Sequence, residues 1–189
     1  GVPHAIPGTI AAIDYDNGGE GVAYHDATSG NSGSGSRQGE NVDLGSNNVG
    51  WISTGEWLEY TVDVESGTYK IEVEVASNTS YGKFHIEFNG SDKTGVKSVN
   101  NTGGWGSYYT ITINDVNLSG GEQVMRVYMD GKSFNLKTIK FTKQSGGSSG
   151  GGPDGYSYAC NENQTVNVTG TMDIAYGASG QFYYLYNQT

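Results

Sequence analysis

Apolar and polar side chains exchange places at almost every step between residues 57 and 88. Leu58, Tyr60, Val62 and Val64 alternate with Trp57, Glu59, Thr61 and Asp63. Tyr69, Ile71, Val73 and Val75 then alternate with Lys70, Glu72 and Glu74, and Phe84, Ile86 and Phe88 with His85 and Glu87. Successive side chains of a strand point to opposite faces, so a period of two makes ribbons with one dry and one wet face. Glu65-Ser-Gly-Thr68 is a turn by composition, and Asn89-Gly90 predicts a tight hairpin. Tyr109, Ile111 and Ile113, then Val124 to Met129, then Leu136 to Phe141 supply further strands. No segment sustains a 3.6-residue apolar period, so no long helix is expected. Strands of this number and spacing predict an all-β fold, a sandwich of two packed antiparallel sheets.

Composition agrees with that class. Gly is abundant at 31, Pro scarce at 3, and Tyr at 14 outnumbers Phe at 5, as in turn-rich β-proteins. The formal charge of -10 argues against nucleic acid and anionic membranes as partners. No apolar run approaches the roughly 20 residues of a membrane span. With Cys160 as the single cysteine, no internal disulfide can form. Gly-Val-Pro-His at the N-terminus reads as the start of a mature domain without a signal peptide, so export is not legible there.

Gln144-Ser-Gly-Gly-Ser-Ser-Gly-Gly-Gly-Pro153 has almost no side chains to pack, and a coil of this kind spans about 17 Å r.m.s.. It divides the chain into a β-sandwich over 1–143, a linker over 144–153 and a partial or truncated β-module over 154–189. The last piece alternates again, at Val166, Val168, Ile174, Tyr176 and Phe182-Tyr-Tyr-Leu-Tyr186, yet is too short for a self-sufficient core.

A catalytic constellation is hard to find. His4 lies near the terminus, and His85 occupies a polar, exposed strand position. Cys160 has no evident base partner, and no nucleophile-elbow, zinc-protease or phosphate-loop motif occurs. A glycosidase needs only two carboxylates. Glu56, Glu59, Glu72, Glu74 and Glu87 read as members of wet strand faces, although a pair assembled by the fold stays open.

Binding chemistry is easier to see. Residues 14–50 and Lys97-Ser-Val-Asn-Asn-Thr-Gly-Gly-Trp-Gly-Ser107 do not alternate and read as long loops. Sandwich loops cluster at the sheet ends, where binding sites are built. Trp51 stands at a loop-to-strand junction, and Trp105 lies between glycines in a polar loop with no apolar stripe to join. Such a ring either folds back onto the sandwich or faces solvent as a platform. Sugar rings stack their C–H faces on aromatic rings while Asn, Asp and Glu bind the hydroxyls, and both tryptophans have such neighbours.

Several segments together carry a family resemblance. Asp14-Tyr-Asp-Asn-Gly-Gly-Glu-Gly-Val-Ala-Tyr-His-Asp26, Arg37-Gln-Gly-Glu-Asn-Val-Asp43, Val49-Gly-Trp-Ile-Ser-Thr-Gly-Glu-Trp-Leu-Glu-Tyr60, Gly103-Gly-Trp105 and Asn135-Leu136 resemble family 6 carbohydrate-binding modules over about residues 7–143. The resemblance implies a jelly-roll sandwich, attached to a secreted glycoside hydrolase that attacks plant or algal polysaccharide. It implies a cleft in which Trp51 and Trp105 grip a sugar and Asn135 bonds its hydroxyls. The loop holding Tyr24, His25 and Asp26 would shape the cleft wall. Some members use a second cleft on the concave sheet face, where Trp57 would sit; Trp57 packing on the sheet is equally open.

The family's structural calcium is usually held by paired carboxylates in the first strand and an Asp in the last. This chain has Ala11, Ile13 and Lys137 there, so calcium is expected to be absent and no cofactor is expected. The loop at Ser36 lacks an aromatic often found there, which implies a more open cleft. Asp154-Gly-Tyr-Ser-Tyr-Ala-Cys-Asn-Glu-Asn-Gln-Thr165 with Ala175-Tyr-Gly177 resembles the opening of another small β-module, whose second Cys often stands where Thr165 does. The expected partners are a polysaccharide, an algal galactan or β-glucan before xylan, and a catalytic domain in the same parent chain. The alternatives are a catalytic carbohydrate-active domain using paired carboxylates and a structural adhesion domain without sugar binding.

Overall fold

The computed structural model describes residues 2–144 throughout, and beyond them the backbone of Gly150–Gly151, Ser157–Tyr158, Met172–Tyr176 and Phe182–Tyr186. The chain divides into two compact units, Gly1–Gly146 and Gly147–Thr189.

The larger unit is a β-sandwich. One sheet contains β1 (His4–Ile6), β3 (Tyr24–His25), β4 (Trp57–Val64), β6 (Gly82–Phe88), β7 (Ser91–Asp92), β8 (Lys97–Val99) and β10 (Gly121–Tyr128), in the order β1-β4-β10-β6-β7, with β3 beside β4 and β8 beside β6. The other contains β2 (Gly8–Ala11), β5 (Gly67–Ala76), β9 (Tyr109–Leu118) and β11 (Asn135–Lys143), in the order β2-β11-β5-β9. Strand pairing is antiparallel throughout the described strands except where β1 runs parallel to β4. The turn at Glu65–Ser66 carries the chain across the sandwich, so β4 and β5 belong to different sheets although they are neighbours in sequence.

The alternation buries the side chains it predicts. Leu58, Tyr60, Val62 and Val64 from one sheet face Tyr69, Ile71, Val73 and Val75 from the other within a single core. Phe141 packs edge-on against Tyr69 and Phe88, at ring separations of 6.4 and 6.1 Å. Asn89 and Gly90 both take positive φ, 49° and 75°, the conformation a two-residue hairpin requires. Two bulges interrupt the pattern. In β9, Ile113 faces Ile71 and Val116 faces Tyr69, with Asp115 at φ 58° absorbing the extra residue. Burial therefore switches from Ile113 to Val116 and Leu118, which is why the alternation fades after residue 113. In β11 the extra residue is Lys137, between Leu136 and Thr138.

The outer face of the first sheet is a connected network. The Arg126 guanidinium lies 4.3 Å from the Trp57 ring centroid and donates to Glu59. His85, expected to be exposed, has only 14% of its side chain exposed and pairs with Asp130 at 2.7 Å and Glu87 at 3.3 Å. Burial works to lower its pKa, but the two carboxylate partners prevail and raise it.

In the smaller unit β12 (Gly150–Gly151) pairs with β13 (Ser157–Tyr158), and β14 (Met172–Tyr176) with β15 (Phe182–Tyr186), both antiparallel. The remainder of the Gly/Ser stretch beyond Gln144, Cys160 and Thr165 lie outside the described residues.

Buried tyrosines must satisfy their hydroxyls. Tyr60, at 0% exposure, donates to the Ala12 carbonyl at 2.8 Å, fixing the 3-10 turn Ala12–Asp14 against β4. Tyr60→Phe leaves that carbonyl short of a donor. We expect a loss of about 1–2 kcal/mol in urea unfolding with an unchanged m-value.

Candidate functional site

Residues 26–56 contain no named strand, yet they are held firmly. Arg37 stacks 3.6 Å from the Tyr15 ring centroid, donates to the Tyr15 and Asp16 carbonyls, and pairs with Glu40. Tyr15 in turn donates to Glu40 at 2.6 Å. One guanidinium thus ties the middle of the loop to the segment before β3. Further along, Val49 and Leu136 exchange both backbone hydrogen bonds at 2.9 Å. That bridge docks the chain against the start of β11.

The next two residues use the docking. A Cβ at Gly50 would stand 2.8 Å from the Asn135 side-chain oxygen, so only glycine allows this approach. Trp51 has φ 50°, an unfavourable left-handed conformation for a bulky residue, and its ring is 59% exposed. The loop between β8 and β9 delivers the second ring. Thr102 bonds Ser77 through both backbone and hydroxyl at 2.8 Å, and Ser107 closes a turn onto Gly104 at 3.1 Å. Trp105 sits in that turn, 47% exposed, and the Asn135 amide donates to its carbonyl at 2.8 Å.

A cavity of about 550 Å³ opens between these loops. Trp51, Trp105 and Asn135 line it together, with Asn48, Ser53 and Lys132 among the polar groups. Ile52, Ser133 and Gly45 complete the wall. The sequence reading missed Asn48, Ser53, Lys132 and Ser133, although the Asp130-Gly-Lys-Ser-Phe134 turn immediately before Asn135 was a usable signal.

Tyr24, His25 and Asp26 are outside this lining. Tyr24 is buried, packs edge-on against Tyr15 at 5.6 Å, and its hydroxyl accepts the Asn41 N–H. His25 pairs with Glu20 and lies 6.4 Å from Trp57, on the outer face of the sheet. Asp26 is buried and accepts the Thr28 N–H and hydroxyl at 2.8 Å.

Glu56 corrects the reading of a solvated carboxylate: it is 7% exposed, at the entry to β4 rather than on its wet face. Its two oxygens accept the N–H groups of Ser53, at 2.9 Å, and Ala27, at 3.3 Å. It therefore joins the cleft loop to the turn after β3. Burial raises its pKa to about 7; the Asp26 and Asp43 carboxylates add to the rise, while the donated N–H groups oppose it.

The positions where the family's calcium would be bound do not fit a cation. Ala11 and Ile13 bring no side-chain oxygen, and the Lys137 ammonium pairs with Glu74 at 3.4 Å and lies 5.1 Å from the Tyr108 ring centroid.

A β-sandwich whose loops gather two exposed tryptophans and several amide and hydroxyl groups around one cleft is a carbohydrate-binding domain by chemistry. The profile of the carbohydrate binding module family 6 matches residues 11–143, and the chain belongs to that family. It is 37% identical over 103 residues to the clotting factor G alpha subunit of Tachypleus tridentatus, an alignment covering 52% of this chain and 15% of that protein. It is 33% identical over 104 residues to the beta-agarase AgaA of Microbulbifer thermotolerans, covering 51% of this chain and 24% of that protein. The chain thus spans a quarter or less of the curated relatives it matches. Among solved structures it resembles the module from Cellvibrio mixtus lichenase 5A in complex with cellotriose, at 29% identity and TM-score 0.53, covering 73% of this chain and 98% of that one.

The buried Glu56 has a consequence for stability. Its carboxyl keeps its proton to about pH 7 in the folded protein and releases it near 4.5 when unfolded. Between those values the folded state binds more protons, so this contribution is present in full below 4.5 and is lost as pH rises through 7. The loss is roughly 3 kcal/mol between about pH 4 and pH 8. Urea midpoints measured across that range should fall with rising pH, and Glu56→Gln should flatten the slope; an identical slope in the variant means Glu56 ionises normally.

Proposed function

We propose that the cleft holds a polysaccharide between Trp51 and Trp105, and that the module keeps an attached glycoside hydrolase on its substrate, an algal galactan or a β-glucan. The carrying observation is the pair of large exposed rings on one polar cavity. The rings take the C–H faces of the sugar. The Asn135 side-chain oxygen, left available by the bond from its amide to Trp105, accepts a sugar hydroxyl. Asn48 and Ser53 supply further donors and acceptors. The agarase among the relatives favours a galactan and the cellotriose complex a β-glucan.

Hydrolysis needs a pair of carboxylates beside the scissile bond, and no carboxylate is among the residues lining this cavity. Binding alone is useful because tethering raises the effective concentration of the enzyme at an insoluble surface. Structural polysaccharides lie outside cells, which supports a secreted parent protein. We infer also that the sandwich stands without calcium at Ala11, Ile13 and Lys137.

Affinity electrophoresis in gels containing agarose, laminarin, xylan, carrageenan or alginate tests the function. The protein should be retarded in a galactan or β-glucan gel and release no reducing ends. Trp51→Ala and Trp105→Ala should each weaken retardation at least about tenfold, or ~1.4 kcal/mol. Free migration in every gel sinks the proposal, and unchanged retention in Trp105→Ala favours an adhesion domain with a blind cleft. Thermal unfolding should be the same with calcium and with EDTA; a melting temperature lowered by EDTA would contradict the calcium-free reading.

A further inference from the structure

The charges of this acidic chain are unevenly matched. It has 10 Lys and Arg against 20 Asp and Glu. Arg37, Lys70, Arg126, Lys137, Lys140 and Lys143 each lie within 4.0 Å of a carboxylate. Lys83, Lys93, Lys97 and Lys132 have no such partner among the described residues. Excess carboxylate should leave few cations unmatched, and these four are not scattered.

The backbones of all four neighbour β6, although Lys97 shares the face of Phe84 and Lys83 takes the other. Lys83 belongs to that strand, and Lys97 in β8 stands opposite Phe84. The Lys93 N–H donates to the Ile86 carbonyl at 2.9 Å, and the Lys132 N–H to Tyr81, just before the strand, at 3.2 Å. Neighbouring carboxylates are already engaged. Asp130 and Glu87 bind His85, and Asp92 accepts the N–H groups of Thr94 and Gly95. Of the four, Lys132 lines the cleft cavity, and no carboxylate does.

A neutral sugar is served by rings, amides and hydroxyls. An unmatched ammonium beside them favours a sugar that carries negative charge. Screening over about 8 Å at physiological salt limits the effect to charges close to the bound sugar.

We propose that Lys132 recognises an anionic substituent, a sulfate ester or a uronic carboxylate, on the polysaccharide in the cleft. This rests on the polysaccharide-binding reading and specifies its ligand as an acidic polymer.

The test compares affinity of the 189-residue chain for a sulfated galactan, its chemically desulfated backbone and a polyuronate, at low and high salt. An anionic chain should bind about fivefold or more tightly than the neutral backbone at low salt, and the advantage should fade at high salt. Whichever anionic chain shows the advantage identifies the substituent. Lys132→Gln should bring the ratio of anionic to neutral affinity close to one, and Lys132→Arg should preserve it. A ratio near one in the unaltered protein, or a ratio kept in Lys132→Gln, overturns the inference while neutral binding still upholds the broader reading. Absence of binding to all three polymers, and to the neutral β-glucan laminarin, removes both.

Discussion

The paired hydrogen bonds between Val49 and Leu136 organise the cleft end of the sandwich. They join a long segment without named strands to the start of β11, a strand whose register is set by the core. Asn135 is the residue before one partner, and Trp51 is two residues after the other. The bridge therefore brings a ring and an amide together from positions far apart in sequence. Asn135 then passes the order on by bonding the Trp105 carbonyl, which steadies the second ring. Both platforms are referred, through one side chain and one bridge, to β11, which pairs with strands on both sides.

Much of the sandwich was legible because period-two burial is a local property of the chain. The runs at 58–64, 69–75 and 84–88 needed only their own residues to declare a dry face. Bulges broke that legibility. Asp115 shifts the phase of β9, so Val116 and Leu118 cannot be assigned to the core by counting from Ile111. Glu56 was misread for a different reason: the Ala27 N–H that it accepts and the Asp26 and Asp43 carboxylates that raise its pKa are none of them its sequence neighbours. The exposed tryptophans were legible as residues out of place. Their polar companions Asn48, Ser53 and Lys132 were not, because ordinary loop composition hides them until the loops are docked.

Tyr24, His25 and Asp26 illustrate how chain proximity misleads about sites. They are consecutive, yet Tyr24 is buried beside Tyr15, His25 lies by Trp57 on the outer sheet face, and Asp26 caps its own turn. A two-residue strand sends adjacent side chains to opposite sides. Three neighbours thus serve three environments, while the cleft draws its lining from three separate segments, around residues 45–53, 105 and 132–135.

The backbone of Trp51 bears on what sort of binding this cleft can support. A left-handed φ at a bulky residue costs on the order of 1–3 kcal/mol and persists only where its surroundings impose it. Here the imposing parts are the Val49 bridge on one side and the Ser53 N–H bound to Glu56 on the other. The strain is met during folding, so the ring is already in place when a ligand arrives. A ligand then has less ordering to meet on binding. The same docking sets Gly50, next to Trp51, so close to Asn135 that a Cβ would stand 2.8 Å from the side-chain oxygen.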